Sequence, residues 1–132
     1  MVSTILALQR ATHQTLTALG TALADLRLTP SETNALANLA DGQPRSVREL
    51  SADTGTRATT LTGVLDRLER RGYLTRELDP ADRRSFRLRL TPDGFAVGRR
   101  VAGAVAELER TALARLSDRQ IAGFHAVVAA LS

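Results

Sequence analysis

The sequence of 132 residues contains no cysteine and no tryptophan, and aromatic residues make up only 3% of it. The absence of cysteine excludes disulfides, thiolate metal ligands, cysteine nucleophiles and cysteine redox sensing. Long apolar runs are also lacking: the start, MVSTILALQRATHQ, is not a signal peptide, and no later segment is apolar enough to span a bilayer. We therefore expect one domain with its own core, a location in the cytoplasm and no membrane partner.

Lysine is absent as well, so all 18 basic residues are arginines, and with 14 acidic residues they give a net charge of +4. This excess is confined to one segment. Residues 57–89 hold nine arginines and five acidic residues, whereas the rest of the chain holds nine of each and is neutral. A basic segment in an otherwise neutral chain is the electrostatic pattern of a nucleic-acid-binding surface.

Apolar residues at three- and four-residue spacings predict a mainly α-helical chain. A first helix is predicted over residues 2–26 and a long one from Thr91 onward. Three capping boxes begin shorter helices: TPSE at 29–32, SVRE at 46–49 and SDRQ at 117–120. Thr56 is predicted to cap one more helix, over 56–71, whose buried face holds Ala58, Leu61, Leu65 and Leu68.

One β-hairpin is predicted between residues 73 and 90. Its strands are YLTREL and FRLRL, and its turn spans 79–85. In the second strand, apolar residues facing the core (Phe86, Leu88, Leu90) alternate with arginines facing solvent or, alternatively, phosphate (Arg87, Arg89). Two short helices joined by a tight turn and followed by such a hairpin make a winged helix-turn-helix. The predicted fold class is therefore mainly α with a small β-hairpin wing.

The second helix of this helix-turn-helix has the outer face of a major-groove reader, because small and hydroxyl side chains let a helix sit deep in the groove. The candidate DNA contacts on it are Arg57, Thr59, Thr60, Thr62, Gly63 and Arg67. In the wing, Arg83 and Arg84 would reach a neighbouring minor groove. Ser46, at the start of the preceding helix, would hold a phosphate. For the three threonines and the two wing arginines, an ordinary solvated surface position is the alternative.

Residues 28–94, and in particular the segments LDRLERRGYLTR and DPADRRSFRLRLTPDG, resemble the MarR family of bacterial transcription regulators. The resemblance extends over 1–132 and implies a single domain with a DNA-binding lobe at 28–94. It further implies helical dimerisation regions at 1–27 and 95–132. By this resemblance the chain is a homodimer that binds a pseudo-palindromic operator in double-stranded DNA. It would act as a repressor released by a small, often phenolic ligand, whose site the sequence does not locate.

The resemblance also suggests roles for three residues of the wing and its surroundings. Arg84 corresponds to the wing-tip arginine that enters the minor groove, Asp66 to an acidic residue that steers it, and Asp82 to an aspartate that orders the loop. From the residues alone, Asp66 could instead pair with Arg70, four positions further along the helix. Gly63 departs from the family, in which a larger polar residue is common, and a glycine there costs the helix about 1 kcal/mol relative to alanine.

The apolar stripes of the first and last helices admit two interpretations, a core within one chain or a subunit interface. We favour an interface, because these helices lie far in sequence from the winged segment. No catalytic constellation is present, and His13 and His125 have no ligating neighbours in the sequence, so we expect neither an enzyme nor a metal or other cofactor. The alternative function is a winged-helix dimer that binds proteins without binding DNA.

Overall fold

The computed structural model describes residues 2–132. In chain order, the helices and strands are α1 (Thr4–Ala22), a 3₁₀ turn (Ala24–Leu26), α2 (Pro30–Leu39), β1 (Arg45–Ser46), α3 (Val47–Thr54), α4 (Ala58–Arg70), β2 (Leu74–Leu78), β3 (Phe86–Leu90), α5 (Pro92–Ala112) and α6 (Asp118–Ala130). The mainly helical fold with a small β wing is confirmed. The first helix is shorter than predicted, because the chain tightens into the 3₁₀ turn and Arg27 then adopts a left-handed conformation with φ of 51°.

Side-chain caps begin several helices. The predicted capping boxes of α2 and α6 are both formed, with reciprocal bonds between Thr29 and Glu32 and between Ser117 and Gln120. At α3 only half of the predicted box is present, because Ser46 Oγ accepts a hydrogen bond from the Glu49 amide but receives no reciprocal bond.

The predicted cap of α4 at Thr56 is wrong. Arg57 is the residue that precedes the helix, and it forms no side-chain cap. Thr56 belongs instead to the turn between α3 and α4, where its carbonyl accepts a 2.6 Å bond from Ser51 Oγ and its amide donates to Thr54 Oγ1. The same turn contains Gly55, whose positive φ of 71° ends α3.

The core lies between α2, α3, α4, α5 and the sheet. Its buried apolar residues are Leu23, Ala35, Leu36, Leu39, Leu50, Leu61, Val64, Leu65, Leu68, Leu74, Leu88 and Val101. On α4, the predicted buried face is correct except at one position. Ala58 is exposed, because it is the first residue of the helix and lies at the rim of the core, and Val64 completes the buried stripe in its place.

The sheet has three antiparallel strands in the order β1-β3-β2, so the predicted hairpin gains a third strand. β1 consists of only two residues, which pair with Leu88 and Arg87 of β3. The sequence did not predict this strand because two residues are too few to show an alternating pattern. Leu88 is buried, but the prediction that Phe86 faces the core is wrong, since it is 44% exposed. Phe86 pairs with Leu78 at the far end of the hairpin, beyond the reach of the core.

The two terminal helices, α1 and α6, contain no buried residue in the single chain. Large apolar side chains are exposed on both and near the end of α5: Ile5, Leu6, Leu113, Leu116, Phe124, Val127 and Leu131. Within residues 2–132, none of the helices combines the length and apolar character needed to cross a membrane.

Candidate nucleic-acid interface

The outer face of α4 carries the small side chains that the sequence predicts for it. Thr59, Thr60 and Thr62 are exposed, and Thr62 Oγ1 donates a 3.0 Å hydrogen bond to the carbonyl of Ala58. Gly63 has open space around it apart from the guanidinium of Arg67, which would lie 3.6 Å from an added Cβ. At the centre of α4 the backbone at Gly63 is therefore open to approach, and threonine hydroxyl groups lie beside it.

The arginines of α4 are not all free to face a ligand. Arg57, just before the helix, is exposed. Arg67 is about half exposed, but its Nε lies 3.9 Å from a carboxylate oxygen of Glu32, a side chain only 4% exposed. Arg67 thus lies on the flank of α4 that faces α2. Its long side chain nonetheless ends near the surface, where a phosphate could compete for it.

The wing is ordered by two aspartates in its turn. Asp79 Oδ1 accepts from the Ala81 amide at 2.9 Å, and Asp82 Oδ1 accepts from the Arg84 amide at 3.0 Å. Backbone bonds from Asp79 to Ser85 and from Asp82 to Asp79 close the turn. Arg84 extends outward with its side chain 95% exposed, and its Nε lies 3.5 Å from the Asp82 carboxylate. Its neighbour Arg83 is also exposed.

Asp66 has a partner that the sequence did not suggest. Its carboxylate pairs with Arg76 of β2 at 2.7 Å, and Arg76 also lies 3.7 Å from Glu69. Arg70 donates to the backbone carbonyl of Asp66 and not to its carboxylate, and Arg84 pairs with Asp82 instead. Asp66 therefore connects α4 to the base of the wing, while Asp82 acts at its tip.

One cleft of about 650 Å³ separates the wing from the starts of α3 and α4. Ser46 and Ala58 line one side of it, and Asp82, Arg84 and Phe86 line the other. The wing tip and the start of α4 consequently lie on the same side of the molecule. Ser46 Oγ accepts from the Glu49 amide, which leaves its hydroxyl hydrogen as a donor toward this cleft.

A charged cluster that the sequence analysis missed fixes the loop before α3. Arg45, only 17% exposed, donates to both carboxylate oxygens of Asp41, at 2.9 and 2.6 Å, and to Asp53 at 3.0 Å. These hydrogen bonds from Arg45, together with one from the Gln43 amide, lower the pKa of Asp41 to about 2. The i,i+4 spacing of Asp41 and Arg45 was the available signal, but it occurs outside a helix.

The two histidines lie apart on the surface, His13 on α1 and His125 on α6. In the part of the chain that the structure describes, no group of three or more histidine, aspartate or glutamate side chains is arranged to hold a metal ion.

Comparison with known proteins agrees with this geometry. A model of the MarR family matches residues 28–85. PecS, an HTH-type transcriptional regulator of Dickeya dadantii, is 44% identical over 62 residues, which are 47% of this chain and 37% of PecS. The curated relatives are aligned over 37% to 56% of their own length, so the chain spans about half or less of each.

Two solved structures are similar over nearly the whole chain. A probable transcriptional regulator from Pseudomonas aeruginosa is 32% identical, with 98% of both chains covered and a TM-score of 0.72. The PcaV transcriptional regulator from Streptomyces coelicolor, solved with its natural ligand, is 28% identical, with 99% of this chain and 96% of PcaV covered and a TM-score of 0.75.

The helix-turn-helix, the three-stranded wing and the exposed basic tip define a winged helix-turn-helix protein of the transcription-regulator class. The chain belongs to the MarR family. This is a family of transcriptional regulators and not of enzymes.

Proposed function

We propose that this chain is a transcription regulator that binds double-stranded DNA as a homodimer and represses from a pseudo-palindromic operator. The observation that carries the proposal is the placement of two exposed elements on one side of the molecule. Ala58 at the start of α4 and Arg84 at the wing tip line the same cleft, and the exposed threonines of α4 follow Ala58 along the helix. A helix and an adjacent basic loop on one side match a major groove and the minor groove beside it.

In this proposal α4 is the recognition helix. Thr59, Thr60 and Thr62 contact base edges or phosphates, and Gly63 allows the backbone to come close to the DNA. Arg57 and Arg67 neutralise phosphates at the groove edges, and Ser46 donates to a phosphate at the start of α3. Such contacts set the register of the protein on the duplex, while the threonines and the shape of the groove supply sequence preference.

The wing supplies the second contact. Arg84 enters the minor groove, assisted by Arg83, because a narrow minor groove concentrates negative potential and attracts guanidinium groups. Asp82 orders the turn that projects Arg84, and Asp66 holds the base of the wing through Arg76. The extreme exposure of Arg84 supports this role, since its ion pair with Asp82 is a loose one within the turn.

The homodimer is proposed from the uncovered apolar side chains of the terminal helices. Regions 1–27 and 95–132 form the dimerisation part in this proposal, and 28–94 the DNA-binding lobe. Phe124 on α6 and Leu131, directly after that helix, are both 52% exposed, and α1 exposes Ile5 and Leu6. Helices that expose this much apolar surface in one chain are stabilised when a second copy covers it.

A small-molecule effector is proposed by analogy with PcaV, which was solved with its natural ligand. A mainly apolar cavity of about 280 Å³ lies between α1 and α5, lined by residues that include Leu19, Leu108 and Glu109. Its position suits a ligand, such as a phenolic compound, that changes the distance between two recognition helices. A ligand with higher affinity for the non-binding spacing would release the DNA.

The test is binding to duplex DNA from upstream of the chain's own coding sequence, measured at several salt concentrations. We expect tight binding that weakens steeply with salt. The double variant Arg83→Ala with Arg84→Ala should lose affinity by about tenfold or more and lower the salt slope by up to about 2, because each released phosphate contact contributes about 0.9.

The control is Arg115→Ala with Arg119→Ala, which removes the same charge from two exposed positions, one between α5 and α6 and one in the first turn of α6. It should keep most of the affinity and the slope. Parental affinity and slope in the wing variant would contradict the assigned role of the wing. No binding by the parent to any duplex, together with a stable dimer, would favour the protein-binding alternative.

A further inference from the structure

Arg71, directly after α4, joins the end of that helix to the connection between α1 and α2. Its guanidinium donates to the carbonyl of Leu26 at 2.7 Å and to the carbonyl of Arg27 at 3.0 Å. It also lies 3.6 Å from the buried carboxylate of Glu32 and stacks over the ring of Tyr73, 5.1 Å from the centroid. One side chain therefore contacts three separate segments.

The same end of α4 is held on its other side by α5. Thr91 Oγ1 donates to the carbonyl of Gly72 at 2.5 Å, and the Thr91 amide donates to the carbonyl of Tyr73 at 3.1 Å. Gly94 lies so close that an added Cβ would be 1.9 Å from the Tyr73 carbonyl oxygen. The backbone of α5 thus packs directly on the residues that follow α4.

A third contact links the other two partners to each other. Arg100 of α5 forms a bidentate pair with Asp25 in the 3₁₀ turn after α1. The end of α4, the α1–α2 connection and α5 are therefore joined pairwise. In the first of these three links, Arg71 provides the hydrogen bonds between α4 and the α1–α2 connection.

We propose that Arg71 is a positioning residue that fixes the angle of α4 relative to α1 and α5. This inference rests on the proposed function, because α1 and α5 belong to the dimerisation part and α4 is the recognition helix. By holding α4 at a fixed angle to both helices, Arg71 sets the distance between the two recognition helices of the dimer. It thereby determines which half-site spacing the protein accepts.

The chemistry requires an arginine at this position. The planar guanidinium presents several donors in a fixed fork, so it bonds two adjacent carbonyls and stacks on a ring at the same time. An ammonium group has the same charge but cannot span this set of acceptors. The proposed role of Arg71 is therefore geometric. It can be distinguished from a simple phosphate contact, because lysine would also provide a phosphate contact.

The first experiment measures the angle without DNA. Because the chain has no cysteine, Thr17→Cys in α1 and Thr62→Cys in α4 accept spin labels selectively. Labelled protein is mixed with an excess of unlabelled protein so that only distances within one chain are recorded. We expect a narrow distance distribution for the parent and a broadened or shifted one for Arg71→Ala, with Arg71→Lys giving a smaller change in the same direction.

The matched control is Arg76→Ala, which removes an arginine that ties α4 to β2 but leaves the α1–α2 connection untouched. It should leave the α1–α4 distance unchanged. Helical content by circular dichroism establishes that each variant is folded. An Arg71→Ala distribution identical to that of the parent would overturn the inference, whether or not the protein binds DNA.

The second experiment uses duplexes whose half-sites are moved closer or further apart by one base pair. The parent should lose about tenfold in affinity on the altered spacings, roughly the effect of one mismatched base pair. Arg71→Ala should discriminate less between half-site spacings, so its binding curves on the different duplexes should lie closer together than those of the parent. A uniform loss on every spacing, restored by Arg71→Lys, would show a phosphate contact and contradict the positioning role. Absence of binding by the parent would count against the proposed function, and the distance measurement alone would then decide the inference.

Discussion

Within residues 2–132, ten of the twelve buried apolar residues lie between positions 28 and 94, and the other two are Leu23 and Val101. The terminal helices α1 and α6, by contrast, have no buried residue although their sequences are rich in leucine, alanine and valine. The two regions have similar helical patterns but different surroundings. The winged lobe completes its core within one chain, whereas the terminal helices need a second surface to bury theirs.

This difference separates two kinds of stability. The lobe is stabilised by close internal contacts and should respond to changes in those contacts at any protein concentration. Burying a large apolar side chain contributes about 1.5–3 kcal/mol, so the exposed side chains of α6 can contribute this only on association. Stability of the terminal helices should therefore depend on concentration.

The largest effect is expected where α5 packs on the lobe. Gly94→Ala would place a Cβ 1.9 Å from the Tyr73 carbonyl oxygen, and the backbone must move to accept it. We expect a loss of about 3 kcal/mol in the free energy of unfolding, at the upper end of overpacking effects. Urea unfolding followed by circular dichroism measures it.

A second glycine of α5 is the control for this prediction. Gly103 has no heavy atom within 4 Å of an added Cβ, so Gly103→Ala should be neutral or stabilising by up to about 1 kcal/mol. Equal effects of the two substitutions would mean that the lobe does not depend on the close contact at Gly94, and the comparison between the two regions would fail.

The next effect concerns the uncovered helix. Phe124→Ser combined with Leu131→Ser removes two half-exposed apolar side chains, one on α6 and one directly after it. We expect the dissociation constant of the dimer to rise by about a hundredfold or more, since truncating a hot-spot residue near the centre of an interface costs about 2 kcal/mol or more. Sedimentation analysis over a range of concentrations measures it.

Leu78→Ser, in the wing, is the matched control because Leu78 is 57% exposed but lies away from the terminal helices. It should leave the dissociation constant unchanged. A parent that stays monomeric at high concentration, or a Leu78→Ser variant that dissociates as readily as the α6 variant, would contradict the proposed interface.

The smallest effect concerns the Arg45 cluster of the lobe. The pKa of Asp41 is about 2 in the folded chain, below the usual 3.8, so its ion pair adds stability above pH 4 that is lost as the pH falls through 2. Asp41 is about half exposed, so Asp41→Asn should cost no more than about 1 kcal/mol at pH 7. Its unfolding free energy should converge on that of the parent near pH 2.

The check is urea unfolding at several pH values between 2 and 7. Glu109→Gln, an exposed carboxylate of α5, changes the same charge outside the lobe and should give a curve parallel to that of the parent. A constant difference between Asp41→Asn and the parent at every pH would refute the assigned role of the ion pair.

Much of the fold could be predicted from the sequence, because local signals and tertiary packing agree. The capping boxes at Thr29 and Ser117 and the glycines that end α3 and α4 mark helix boundaries directly. The alternation in β3 likewise predicts a strand. Local hydrogen bonding and periodicity depend on neighbouring residues, so a sequence displays them without a structure.

The features that the sequence did not predict depend on distant segments. Strand β1 exists only because β3 offers it a partner, and the pairing of Asp66 with Arg76 depends on how β2 crosses α4. The contacts of Arg71 join residues 44 and 45 positions apart. Phe86 alternates correctly but lies past the end of the core, and periodicity alone does not reveal where a core ends.

The placement of α4 and the wing of each protomer in adjoining grooves is tested most directly by chemical footprinting on operator DNA. Major-groove methylation and minor-groove radical cleavage would be compared for the parent and the Arg83→Ala, Arg84→Ala variant. We expect two symmetric major-groove protections about one helical turn apart, flanked by minor-groove protections that the variant loses. Protection confined to a single groove, or minor-groove protection retained in the variant, would contradict this placement.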